Sequence, residues 1–99
     1  MEDGFANSSQ DQLHKLREMV NEIDYRLVED LKMRFRLAPL IAQVKKLRGL
    51  SVEDPVRELE IMNRIVLQCE QENQAHLTIP IQNIFRQLLQ EMKKHQHLL

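Results

Sequence analysis

From about Gln10 to Leu47 apolar residues recur at three- and four-residue spacing, and this one run limits what the chain can become. Leu13, Leu16, Val20, Ile23, Leu27, Leu31, Ala38 and Ile41 fall on a single stripe. As a helix, about 38 residues at 1.5 Å each extend roughly 57 Å. A compact chain of 99 residues has a radius of gyration of only about 13 Å. The remaining sequence supplies two shorter helical segments of about 18 residues, too short to cover such a stripe. A second copy must cover it, so the pattern predicts an intertwined homodimer, most simply two-fold. Pro39 interrupts the run chemically, because it lacks an N–H and its ring crowds the carbonyl of Phe35. The stripe keeps its phase across Pro39, so one kinked helix is expected rather than two.

The rest of the chain reads as helix too. Gly (2) and Pro (3) are scarce and aromatic residues make up 4%, a composition that suits helices and disfavours sheet. Residues 1–10 lack periodicity and read as a flexible N-terminal tail, leaving one helical domain over 11–99. Arg48-Gly49-Leu50-Ser51 breaks the first helix. Asp54-Pro55 then opens a second, with Asp54 as N-cap and Pro55 at the first helical position. It is expected to run to about Asn73, with Val56, Leu59, Met62, Ile65, Val66 and Cys69 facing inward. After a polar connection at Asn73–His76, a third helix is expected from near Thr78 to about His95. Its inner face is Ile81, Ile84, Phe85, Leu88, Leu89 and Met92. The fold class is therefore all-α, with one long kinked helix and two shorter ones per chain.

Charge excludes several functions. A net charge of −1 provides no basic field for nucleic acid. No run is long and apolar enough to suggest a membrane span. The acidic, polar N-terminus is unlike a secretory signal, and the single Cys69 fits a reducing cytoplasm. His14, His76, His95 and His97 lack metal-ligand spacing, so no metal is expected, and His95 and His97 read as a solvated helix end.

The charged residues within the helical pattern carry the functional signal. Arg34 and Lys45 fall on the apolar stripe itself, where a cation is costly unless an anion meets it. They are about three turns apart, so both point the same way some 16 Å from each other along the axis. Long side chains at that separation can close on a small molecule. Arg17 is about 25 Å from Arg34 along the same helix and cannot serve that ligand within its own subunit. An antiparallel partner would bring its own Arg17 there. Arg57 and Glu58 follow the Asp54 cap on the first turn of the second helix, where free N–H groups favour an anion. With Gln96, the set suits a small dianion that carries a hydroxyl group.

These residues also stand in a recognisable order. Leu16–Asp24 reads L-R-E-x-x-x-x-I-D, followed by Arg34 and then Lys45. Asp54–Glu58 reads D-P-V-R-E, and Ile84–Gln96 reads I-F-x-x-L-L-x-x-x-x-x-x-Q. Across residues 12–97 the chain resembles the all-helical (AroQ-class) chorismate mutases. That resemblance implies a Claisen rearrangement of chorismate to prephenate in a homodimer, without a cofactor. It further implies that Arg17 from the partner subunit and Arg34 each grip a substrate carboxylate. Lys45 would contact the ether oxygen and the pyruvyl carboxylate, and Gln96 would add a second hydrogen bond to the ether oxygen. Glu58 and the Asp54 backbone would hold the ring hydroxyl, with Arg57 supporting the network from behind. Many relatives carry a small polar residue, often Ser, where this chain has Met92, so one carboxylate contact is expected to be missing beside the substrate. Two sister activities use the same frame, isochorismate pyruvate-lyase and aminodeoxychorismate mutase. A non-catalytic helical dimer that binds a metabolite or a partner enzyme is the alternative of a different class.

Overall fold

A computed structural model describes the backbone of residues 2–97 and the side chains of residues 8–97. Among the described residues there are three α-helices and no strand: α1 (Glu2–Leu47), α2 (Pro55–Gln71) and α3 (Thr78–His97), with a 3₁₀ turn at Ala75–Leu77 before α3. The all-α reading holds, and α1 is assigned as one helix through Pro39. Its backbone is already helical from Glu2, ahead of the start expected near Gln10, although residues 1–10 show no apolar period. A continuing helix needs no apolar stripe where no neighbour is to be covered. None of these helices is long and apolar enough to cross a membrane.

The chain divides into two compact units, Met1–Arg34 and Phe35–Leu99. The first unit is a single stretch of α1. Its stripe is uncovered in one chain: Leu16 and Ile23 are each 58% exposed, and Leu13, Val20 and Leu27 are exposed as well. A lone helix has nothing to bury an apolar face against, so that face is left to solvent or to another molecule.

The second unit holds the core. α2 and α3 form a helical hairpin around buried Ile61, Ile65 and Cys69, with Met62, Leu77, Ile81, Phe85 and Leu89 packed against them. Ile61, Ile65 and Cys69 are spaced four apart and form one row along α2. Met62, Ile65, Val66 and Cys69 of the expected inward face are buried or partly buried. Ile61 joins them in the core, whereas Val56 and Leu59 are exposed. On α3, Ile84 is likewise exposed, while Met92 is buried at 4%. Gln82 Nε2 donates to the Met62 carbonyl at 3.3 Å and ties the two helices by their polar edge. α3 also outlasts its expected end. His95 is exposed, as expected, and its ring also meets Phe35 edge-on with ring centroids 5.2 Å apart.

Both inter-helix turns use the same C-terminal cap. After α1, Leu50 N–H donates to the Lys45 carbonyl and Gly49 N–H to the Lys46 carbonyl, with Gly49 at φ +69. This is a Schellman arrangement, and its left-handed position favours glycine. After α2, Gln74 and Asn73 repeat the pattern onto Cys69 and Glu70, with Asn73 at φ 56. Asparagine tolerates that region better than most residues. The expected extension of α2 to Asn73 thus stops at Gln71, because Asn73 is the residue that reverses the chain.

Replacing Ile65 with alanine removes the centre of the buried row. We expect Ile65→Ala to lower stability by about 2–5 kcal/mol in urea unfolding at fixed protein concentration. A change below about 0.5 kcal/mol would show that the row is not the core.

Candidate active site

The glycine cap after α1 decides where Lys45 can reach. By turning the chain at Gly49 it returns the 50–54 segment alongside the last turn of α1. Lys45 Nζ then donates to the Val52 carbonyl at 3.0 Å. The same ammonium donates to Gln96 Oε1 at 3.3 Å, joining the ends of α1 and α3 across most of the sequence. Both side chains are partly buried. They line a recess of about 500 Å³ together with Ala42, Lys46 and Val52. Lys45 has three N–H donors, and two are engaged, so one remains for a ligand. With its carbonyl on Lys45, the Gln96 amide keeps its NH₂ group to donate.

The start of α2 is built as its sequence suggests. Asp54 Oδ1 accepts from the Arg57 backbone N–H at 3.1 Å, and the Asp54 carbonyl accepts from Glu58 N–H at 3.0 Å. Ser51 Oγ accepts from Glu53 N–H at 3.1 Å and shapes the approach to the cap. The Arg57 guanidinium turns to Glu60, at 3.3 Å, and is 48% exposed. A pair that open to water contributes little.

Glu58 lies in a second recess of about 370 Å³, lined also by Pro55, Met62, Leu89 and Lys93. Its Oε1 is 3.1 Å from Lys93 Nζ, and Lys93 also holds Glu53 Oε2 at 3.1 Å. Hydrogen bonds to Glu53 and then to Glu58 raise the Lys93 pKa above its ordinary 10.5. Lys93 escaped the sequence reading. The available signal was its position on the Leu89–Gln96 side of α3, four residues after Leu89 and three before Gln96.

The structure therefore brings Lys45 and Gln96 into direct contact and pairs Glu58 with a lysine not foreseen. Asp54 is partly buried and engaged as a cap. Met92 is buried and lines neither recess, so its thioether offers no replacement for a polar contact. Arg17 and Arg34 belong to the first unit, where Arg17 is exposed and Arg34 partly buried.

The chain is an all-α protein that sets a lysine and a glutamine at one recess and a carboxylate with a capped helix start in its α2 segment. The family model described as chorismate mutase type II matches residues 16–97. The chain belongs to that family. A protein of Methanocaldococcus jannaschii named chorismate mutase is 32% identical over 63 residues. The alignment covers 64% of this chain and 64% of that protein, so just under two thirds of the relative's length is matched. No solved structure is a significant match.

The raised Lys93 pKa fixes the sign of a pH effect. Lys93 holds its proton more tightly folded than unfolded, so its pairs stabilise fully below pH 10.5 and are lost as pH rises through the higher folded value. The stability gap between wild type and Lys93→Met should stay constant from neutral pH to pH 10.5 and shrink above it. A gap that closes near neutral pH, in urea unfolding, would contradict the pairing.

Proposed function

We propose that the chain catalyses the Claisen rearrangement of chorismate to prephenate, working as a homodimer in which each site receives Arg17 from the partner subunit. The observation that carries the reading is the Lys45–Gln96 contact, which leaves a lysine and an amide donor at one recess. Family membership over residues 16–97 supports it. So does the similarity to the M. jannaschii protein named chorismate mutase.

The reaction breaks the ether C–O bond and forms a C–C bond within one molecule. No proton is transferred and no nucleophile is required. The substrate must be held in a compact, chair-like conformer, and clamping its two carboxylates from opposite sides provides that. Orientation of this kind supplies several kcal/mol of the barrier reduction, on the order of the effective-molarity effects known for tethered reactants. Arg17 of the partner subunit and Arg34 are assigned to the carboxylates, with Arg57 in support. C–O cleavage runs ahead of C–C formation, so negative charge grows on the ether oxygen. Lys45 and the Gln96 amide are assigned to that oxygen. Donors already fixed in place stabilise the growing charge more than the ground state and need little rearrangement as it forms. The Val52 carbonyl on Lys45 holds the ammonium in position beforehand. Glu58 and the Asp54 backbone are assigned to the ring hydroxyl, and Met92, being buried, contributes shape only.

The dimer rests on the uncovered face of α1. Leu13, Leu16, Val20, Ile23 and Leu27 remain exposed in the single chain and form the stripe that a second copy would cover. Buried, reduced Cys69 suits a reducing compartment such as the cytoplasm.

Purified protein mixed with chorismate should consume it and yield prephenate, followed by ultraviolet absorbance and product identification. Release of pyruvate from isochorismate would favour the lyase reading, and no turnover by a folded dimer would favour a binding protein. Lys45→Ala is expected to lower kcat by about 100-fold or more with a smaller change in KM. A loss confined to KM would remove Lys45 from the ether oxygen.

A further inference from the structure

Lys93 belongs to none of the groups assigned above, yet it is the cation that faces Glu58. Its side chain is 27% exposed and its ammonium lies 3.1 Å from Glu58 Oε1 and 3.1 Å from Glu53 Oε2. The two carboxylates come from different elements. Glu53 ends the connection that carries Val52, and Glu58 sits on the first turn of α2. Without Lys93, two negative charges would stand together beside the Glu58 recess, where Arg86 is the other cation on the lining. Like charges at that spacing oppose the approach of an anion, and less water in a partly enclosed recess strengthens the effect.

We propose that Lys93 is a positioning residue that fixes the Glu58 carboxylate for the ring hydroxyl and offsets its charge towards a dianionic substrate. The inference rests on the chorismate mutase reading of the same site. A carboxylate has about four lone-pair positions, so Glu58 can hold Lys93 through one oxygen and still accept from a hydroxyl through the other. The Lys93 side chain enters the Glu58 recess from α3, where Leu89 and Gln90 also line it. The pair thus joins the first turn of α2 to the turn of α3 that leads to Gln96. Under the proposed function this ammonium would stabilise the geometry at the ring-hydroxyl end, while Lys45 and Gln96, which line a separate recess, would serve the ether end.

The decisive comparison places Lys93→Met in two backgrounds of the full-length chain. Beside wild-type Glu58 it should raise KM for chorismate about tenfold and change kcat by less than about twofold. Beside Glu58→Gln the same substitution should raise KM by less than about twofold, because the group through which Lys93 acts is already altered. Lys93→Arg should restore most of the lost affinity, since it keeps the charge. Circular dichroism verifies folding, and Lys93→Gln serves if the methionine variant fails to fold. An unchanged KM, or an equal loss in both backgrounds, overturns the role of Lys93. Wild-type turnover is scored separately: if chorismate is not rearranged at all, the catalytic reading falls and the Lys93 role falls with it. Turnover with an unmoved KM overturns Lys93 alone.

Discussion

Helix α1 presents more apolar surface than its own chain covers, and this imbalance governs the rest of the account. The second unit has a core of its own, Ile61, Ile65 and Cys69 between α2 and α3, although Leu40, Val44, Val56, Leu59 and Ile84 stay exposed there. The 46-residue α1 has no such arrangement along its first unit, where Leu16, Val20, Ile23 and Leu27 stay exposed. Burying apolar side chains of this size stabilises by about 1.5–3 kcal/mol each, so a partner that covered the stripe would gain substantially. The proposed dimer would answer that imbalance, and on the same proposal Arg17 would complete the site of the partner subunit.

Lys45 connects the architecture to the chemistry. A cation on an apolar helix edge costs stability unless acceptors meet it. Here the Val52 carbonyl and the Gln96 amide oxygen do so. The Val52 carbonyl is within reach because Gly49 takes a left-handed conformation and brings the following segment back along α1. One ammonium thus holds a connection and the end of α3, and retains a donor. The proposed catalytic use needs a donor fixed before the reaction begins, and this is how the fold would supply one.

Much of this was legible in the sequence. Helix periodicity marked all three helices, and Asp54-Pro55 located the start of α2 because a cap is a local event decided by adjacent residues. Lys45 and Gln96 stood out through spacing, and the structure places them in contact. Other features needed the tertiary fold. Ile61 was missed and Val56 misplaced because a broad apolar face does not reveal which row a single neighbour will cover. Met92 was assigned beside the substrate by its order in the motif; its burial at 4% exposure needed the tertiary fold to be seen. Lys93 resembles any exposed helix lysine until Glu53 and Glu58 are brought to it by the turn between α1 and α2.

The central claim is that each site is shared between two copies, and mixing two defective variants tests it most directly. Arg17→Ala lacks the donated arginine, and Lys45→Ala lacks the ether-oxygen donor. Each alone should be nearly inactive towards chorismate. After subunit exchange, a mixed dimer would contain one site with both residues intact and one lacking both. Equal mixing should therefore recover about a quarter of wild-type activity, since about half of the dimers are mixed and each has one working site. Recovery near that level would support the shared site. No recovery from variants shown to form mixed dimers would contradict it.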